Sequence, residues 1–249
     1  MYTDKRMLIA RVGDLFDLCE KRGEAQFSSF LDGGEIAVIE DEFGVYPRGA
    51  MLFGGYEGAE RKMLGVFPEW EEPSHETFPI SVIRFNAPKF RSLSHRDYLG
   101  TLMSLGIVRG KTGDILTDDS GAYALVENDI AEYIKNNVTK IANSGVKVTI
   151  IPAGEFTPPP PKTKERACVA ASQRLDAVIA AVYNISRSTA EKLVKEDMVK
   201  VNHRPSKSRS DALLEGDLVS VRGYGRFILK EKGRETQKGR LHITAEIFV

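Results

Sequence analysis

The chain has 249 residues, 42% of them apolar and 28% charged. That composition is ordinary for a globular protein, so a disordered chain is not expected, and the length suits two or three small domains, each with its own core. The 35 basic and 35 acidic residues cancel, but unevenly: residues 174–249 hold fifteen basic and ten acidic side chains, residues 1–173 hold twenty and twenty-five. Such asymmetry turns the C-terminal part toward a polyanion.

The first 22 residues carry Leu8, Val12, Leu15, Phe16 and Cys19 at helical spacing, and Gly23 ends the pattern. The charges within this pattern exclude a signal peptide, and no apolar run in the chain is long enough to cross a bilayer; a reducing, cytoplasmic setting is expected. Phe27, Phe30 and Leu31 read as packing residues of a second, short helix. Asp32 and Glu35 have capping-box spacing ahead of IAVIEDEF, which reads as a helix, although its β-branched content leaves a strand open. Met51–Phe53 and Met63–Phe67 read as strands. Gly54, Gly55 and Gly58 lie between them without the Lys-Ser/Thr of a phosphate loop, so a bend or bulge is expected. Arg61 and Lys62 are candidates for RNA contact.

Residues 79–152 follow the order strand PISVIRFN, helix HRDYLGTLMSLG, strands GDILTD and GAYALVEN around a tight turn at Asp118–Ser120, helix DIAEYIKNNVTKIA and strand VKVTIIP. This βαββαβ order is the split ferredoxin-like arrangement, shared with RRM-type RNA binders. The stacking aromatics of that class are poorly matched: Ser81 stands where the first strand should carry one, and the third strand offers only Tyr123. A structural module, or one touching RNA through Arg109 and Lys111, is favoured over sheet-face stacking.

TPPPPKTKER at 157–166 reads as a semi-rigid polyproline spacer. The fold class expected is therefore α+β: an N-terminal module over 1–72, a ferredoxin-like domain over 73–156, a linker over 157–166 and a C-terminal domain over 167–249. In the last domain Leu175, Val178, Ile179 and Val182 form one helical stripe. Ser186 or Ser188 caps a second helix, Ser188 with Glu191 having capping-box spacing, and Ala190, Leu193 and Val194 line its buried face. Met198–Val201 and Leu218–Val221 are short β-branched runs, and LHITAEIFV alternates like a final strand. From Arg174 to Lys230 eleven basic residues stand against seven acidic ones, an electrostatic footprint for phosphate.

RLD at 174–176, SRSTAEKLVK at 186–195, VKVN at 199–202 and GDLVSV at 216–221 together resemble the S-four RNA-binding domain. The resemblance implies RNA contact on the second helix and the hairpin after it, through Arg187, Lys192, Lys195, Lys200, Asn202, Arg204 and Lys207. Arg174, Arg209 and Arg222 extend the same basic patch. Asp197 and His203 stand where that family usually has glycine, so both turns are expected at positive φ. With GGYEGAERKMLG at 54–65 and the domain order, the whole chain resembles the YlmH family; photosystem-linked S-four proteins of phototrophs are similar. The resemblance implies binding to large-subunit ribosomal RNA and to tRNA on the ribosome, in the setting of stalled-ribosome rescue, with no DNA or membrane partner.

An enzyme is the competing reading. Arg174-Leu175-Asp176 occurs in the active-site motif of pseudouridine synthases, but here it lacks the Thr-x-Gly that should follow, and Asp176 reads as a helix-start residue. No Gly-rich strand–turn–helix marks a nucleotide fold in 1–156. His75, His95, His203 and His242 are scattered without metal spacing, Asp118 and Asp119 read as turn formers, and Cys19 and Cys168 as buried small hydrophobes. No catalytic residue, metal or cofactor is expected. An acidic N-terminal half that docks another protein is a third possibility.

Overall fold

In the computed structural model the described residues are 2–44, 49–88, 93–152, 155–206, 208–235 and 239–248. They divide into two units, Met1–Pro159 and Pro160–Val249.

The first unit starts with α1, Tyr2–Arg22. Val12 and Cys19 are buried, with Leu8, Leu15 and Phe16 packed beside them, and Gly23 at φ +65° stops the helix. The next residues are extended, so the expected short helix at Phe27–Leu31 does not form. β1, Gln26–Phe27, pairs with β3, and Leu31 bridges to Lys62. The backbone finds its partners there: Ser28 N–H donates to the Leu64 carbonyl at 2.9 Å and Phe30 N–H to that of Gly110 at 2.8 Å. α2, Gly33–Phe43, carries the capping box read from sequence. Asp32 Oδ1 accepts from Gly34 and Glu35 N–H, and Glu35 accepts from Asp32 N–H. Those bonds settle helix over strand for this stretch. β2, Ala50–Phe53, and β3, Met63–Val66, complete a three-stranded sheet in the order β1-β3-β2.

β4 (Ile80–Asn86), α3 (His95–Ser104), β5 (Thr112–Asp118), β6 (Gly121–Glu127), α4 (Asn128–Asn137), the small hairpin β7 (Lys140–Ile141) and β8 (Ser144–Gly145), and β9 (Lys147–Ile151) follow. The antiparallel order β5-β6-β4-β9 is the expected ferredoxin-like sheet. One face, with Ile83, Phe85, Ala122, Ala124 and Val126, packs on Tyr98, Leu102 and Ile134 of the two helices. Part of the other face is closed by residues 25–80. Leu125, with Leu116 and Ile80 beside it, belongs to an aromatic core with Phe30, Met63, Phe67 and Phe78.

Polar ties close the same seam. Buried Asp114 accepts from Tyr56 Oη (2.8 Å), Glu60 N–H (2.7 Å) and Arg61 N–H (3.1 Å). The Arg61 guanidinium donates to the Thr112 carbonyl at 3.0 Å and the Phe30 carbonyl at 2.7 Å. Here Gly54 and Gly55 show their purpose. A Cβ on Gly54 would overlap the Arg61 carbonyl, and one on Gly55, at φ +96°, would overlap Leu125 Cδ2. The backbone is pressed against the sheet, which only glycine permits.

In the second unit β10 (Thr163–Ala170), α5 (Leu175–Tyr183), α6 (Arg187–Lys195), β11 (Val199–Val201), β12 (Arg204–Pro205), β13 (Leu218–Val221), β14 (Gly225–Glu235) and β15 (Leu241–Phe248) form a six-stranded sheet under two helices. Its order is β10-β15-β14-β13-β11-β12, every pair antiparallel. β10 starts inside the stretch read as a spacer, because Thr163 through Ala170 find eight consecutive partners on β15. The alternation of β15 buries Leu241, Ile243 and Ala245 against Val178, Ile179, Val182, Val194 and Phe227. Ser186, not Ser188, caps α6, accepting from Thr189 N–H at 3.0 Å.

Substitution Gly55→Ala is expected to lower the unfolding free energy by about 2–4 kcal/mol through overlap and backbone strain. Gly58→Ala, also at positive φ but with open space around it, should cost only about 1–2 kcal/mol. Urea unfolding of both variants separates the close approach from the φ requirement.

Candidate nucleic-acid interface

The basic patch is built around one carboxylate. Asp176 lies in the first turn of α5 with 1% of its surface exposed. Arg174 Nε sits 3.1 Å from its Oδ1 and Arg187 Nε 3.0 Å from its Oδ2. Ala177 N–H donates to Oδ1 at 2.9 Å, and Asp176 N–H is bonded to the Arg209 carbonyl at 3.3 Å. Burial pushes the Asp176 carboxyl up; hydrogen bonds from Arg174 and Arg187 and their positive charge outweigh it and hold it below the usual aspartate range. The two arginines remain open to solvent, with 36% and 51% of their side chains exposed. One buried anion thus fixes two cations at the surface while each keeps free N–H groups for an acceptor.

Lys192 and Lys195 follow on α6, 74% and 69% exposed. Lys192 lies 3.8 Å from Glu196, and Lys195 lies 3.1 Å from Glu191, which also pairs with Arg209. Hydrogen bonding from Lys195 leads the causes that lower the Glu191 pKa. Exposed pairs of this kind are weak, so phosphate can take either lysine at little cost. Lys200 on β11 and Arg204 on β12 are exposed, as is Arg222 beyond β13. Lys207 lies outside the described residues.

Asn202 differs from the others. It and His203 join β11 to β12 at φ +47° and +66°, the two-residue geometry that matches strand twist. Its amide donates to Asp217 Oδ1 at 2.8 Å and its Oδ1 accepts from Leu218 N–H at 2.9 Å. That side chain holds the hairpin. Asp197, closing α6, sits at φ +54°, so both positions read as needing positive φ adopt it.

Three loop cations of the first unit, Arg61, Arg109 and Lys111, are occupied by their own chain. Arg61 donates to backbone carbonyls as described, and Arg109 Nη1 donates to the carbonyls of Thr112 (2.6 Å) and Gly113 (3.0 Å). Burial, followed by the neighbouring Arg61 charge, lowers the Arg109 pKa. Lys111 pairs with Asp129 and with Glu127. Tyr123 is no open stacking surface either: the Arg84 guanidinium lies 4.3 Å from its ring centre and Phe156 packs 5.3 Å away. Arg84 is 7% exposed and pairs with Asp118 at 2.9 Å. Asp118 also accepts from Ser120 N–H at 2.8 Å, the turn role expected of it. Among the described residues no cluster of His, Cys, Asp and Glu could hold a metal, and no helix is long and apolar enough to cross a membrane.

Sequence reasoning missed the role of Asp176, read as favourable to a helix dipole. The signal available was the adjacency of Arg174 and Asp176; Arg187, eleven residues on, enters the cluster only through helix packing.

Residues 73–155 match the family described as a putative RNA-binding domain in YlmH, and residues 173–219 match the S4 domain. The chain is 31% identical over 244 residues to "Ribosome-associated protein quality control protein P2" of Bacillus subtilis (strain 168), covering 98% of this chain and 95% of that protein. The chain belongs to the YlmH family. Among solved structures, "Cell division protein ylmH from Streptococcus pneumoniae" is similar with a TM-score of 0.51 at 17% identity, covering 61% of this chain and 93% of that one. That likeness bears on the fold, which is α+β as expected. The two matched segments make this YlmH-family chain an RNA-binding protein with an S4 domain.

Because the Asp176 pKa is depressed in the folded state, its stabilisation is complete above the unfolded value of about 4 and is lost as pH falls through the folded value. Asp176→Asn is expected to cost about 2 kcal/mol at pH 7. The cost should shrink below about pH 4, where wild type loses the same contribution. Denaturant titrations at pH 7 and pH 3 check both the size and the sign.

Proposed function

We propose that the protein is a non-catalytic factor that grips structured RNA of the large ribosomal subunit, with tRNA as a second partner, during rescue of stalled ribosomes. The observation that carries this reading is the Arg174–Asp176–Arg187 cluster beside Lys192 and Lys195. Its guanidiniums are held in place before any RNA arrives, which lowers the ordering cost of binding. The basic excess of residues 174–249 adds a sequence-independent attraction to phosphate. The setting is supported by the B. subtilis relative, whose name describes a ribosome-associated quality-control protein. A cytoplasmic location accompanies that setting.

The pseudouridine-synthase reading loses its main residue. Asp176 is nearly sealed from solvent and both its oxygens are engaged, an arrangement that suits an anchor better than an attacking or proton-transferring group.

Co-sedimentation with ribosomal particles tests the proposal. The intact protein should travel with the large subunit at low salt and leave it as salt rises. Lys192→Ala with Lys195→Ala should weaken binding, and each phosphate that no longer meets a lysine should flatten the slope of log affinity against log salt by about 0.7–0.9. If the double variant binds with unchanged affinity and slope, this face is not where RNA sits. If the intact protein stays at the top of gradients containing stalled ribosomes, the ribosomal assignment falls.

A further inference from the structure

A second feature of the C-terminal unit lies in the turn between β13 and β14. Val221 pairs with Gly225, so Arg222-Gly223-Tyr224 form the turn, and Arg226 follows. Gly223 and Gly225 stand at φ +87° and +115°, which bends the chain sharply around the tyrosine. Arg222 N–H donates to the Met198 carbonyl at 2.9 Å and Tyr224 N–H to that of Val221 at 3.0 Å, so the tip is pinned.

Tyr224 is 42% exposed. It rests on Tyr183, the last residue of α5, with ring centres 5.4 Å apart at 47°. Tyr183 in turn meets the fully buried Phe227 at 5.8 Å, edge-on. The Tyr183 hydroxyl is buried without a hydrogen-bond partner among the described residues, and burial pushes its pKa up to about 12. The bed beneath Tyr224 is therefore neutral and apolar. Three rings run from the core to the surface and the outermost keeps ring surface open to solvent. Exposed Arg222 makes no side-chain ion pair or hydrogen bond among the described residues, and the Arg226 guanidinium lies 4.9 Å from the Phe248 ring. A fixed aromatic ring on a turn that also carries exposed Arg222 is the chemistry that takes a nucleobase with its phosphate: the ring stacks on the base and the arginine meets the backbone.

We infer that Tyr224 is a stacking site for an unpaired nucleobase, working beside the phosphate-binding face of α6. The inference rests on the RNA-binding reading above. It assigns base contact to this hairpin, and it selects RNA with flipped-out, bulged or loop nucleotides over continuous duplex.

A stem-loop RNA carrying 2-aminopurine either in its loop or in its stem tests this with the full-length chain. The loop label should be quenched on binding and the stem label should not. Tyr224→Leu should abolish the quench and weaken binding to the stem-loop about 5- to 100-fold while leaving the salt slope unchanged, since a stacked base releases no counterions. Tyr224→Phe keeps the ring and should retain both quench and affinity; if it is as weak as Tyr224→Leu, the ring is not what binds and the inference fails. It fails too if Tyr224→Leu binds and quenches like wild type while the Lys192→Ala, Lys195→Ala variant does not bind, an outcome that leaves the RNA reading standing. If wild type binds neither RNA, the RNA reading itself is wrong and the inference goes with it.

Discussion

A buried carboxylate with two arginines on it organises the second unit. Leaving Asp176 without partners would place an uncompensated charge in a nearly water-free position, which costs several kcal/mol. The chain avoids this by bringing Arg174, at the start of α5, and Arg187, at the start of α6, onto the two oxygens. The pair therefore helps fix how the two helices meet. It also aims two guanidiniums at solvent from a rigid base, where a lone surface arginine would sample many rotamers. The same three side chains tie the starts of the two helices together and hold two guanidiniums toward solvent.

The first unit solves a different problem. A ferredoxin-like sheet has helices on one face only, and the remaining face must be covered or put to use. In RRM-type proteins that face carries base-stacking rings. Here part of it is covered by an aromatic core from residues 25–80, and the polar groups at the seam are satisfied by Asp114 and Arg61. Tyr123, the one ring that sequence comparison with RRM proteins offers, lies against Arg84 and Phe156. The unit keeps the fold of an RNA-binding class while part of its sheet face is closed in a different way.

The distribution of charge follows this division of labour. Arg61, Arg109 and Lys111 of the first unit, which drew attention in the sequence, are tied to carbonyls or to neighbouring carboxylates. Lys192 and Lys195 on α6 are more than two-thirds exposed and held only by surface pairs. How far a basic side chain is engaged by the fold thus depends on its local partners, and its place in the chain gives only a bias.

Much was legible before any coordinates: the βαββαβ order, the capping box at Asp32 and Glu35, the strand alternation of 241–247, the positive φ at Asp197 and His203, and the basic character of the last third. These are local properties, set by side-chain periodicity, by hydrogen bonds three residues apart and by the sterics of single turns. What the sequence hid was long-range. Phe27–Leu31 has helical spacing but is extended because β3 and the Gly110 carbonyl supply its hydrogen bonds. Thr163–Ala170 looked partly like spacer until β15 gave it a partner. The glycines at 54 and 55 are explained only by Leu125 and the Arg61 carbonyl lying against them. The clustering of Arg174, Asp176 and Arg187 needs two helices to pack, and the Phe227–Tyr183–Tyr224 column needs a helix end to meet a hairpin. The sequence by itself determined most of the helices and strands and which third of the chain carries the basic excess, because those depend on neighbours in the chain. The tertiary structure decided which charges and rings are spent on the fold and which are left open to solvent, because that depends on partners brought together only by packing.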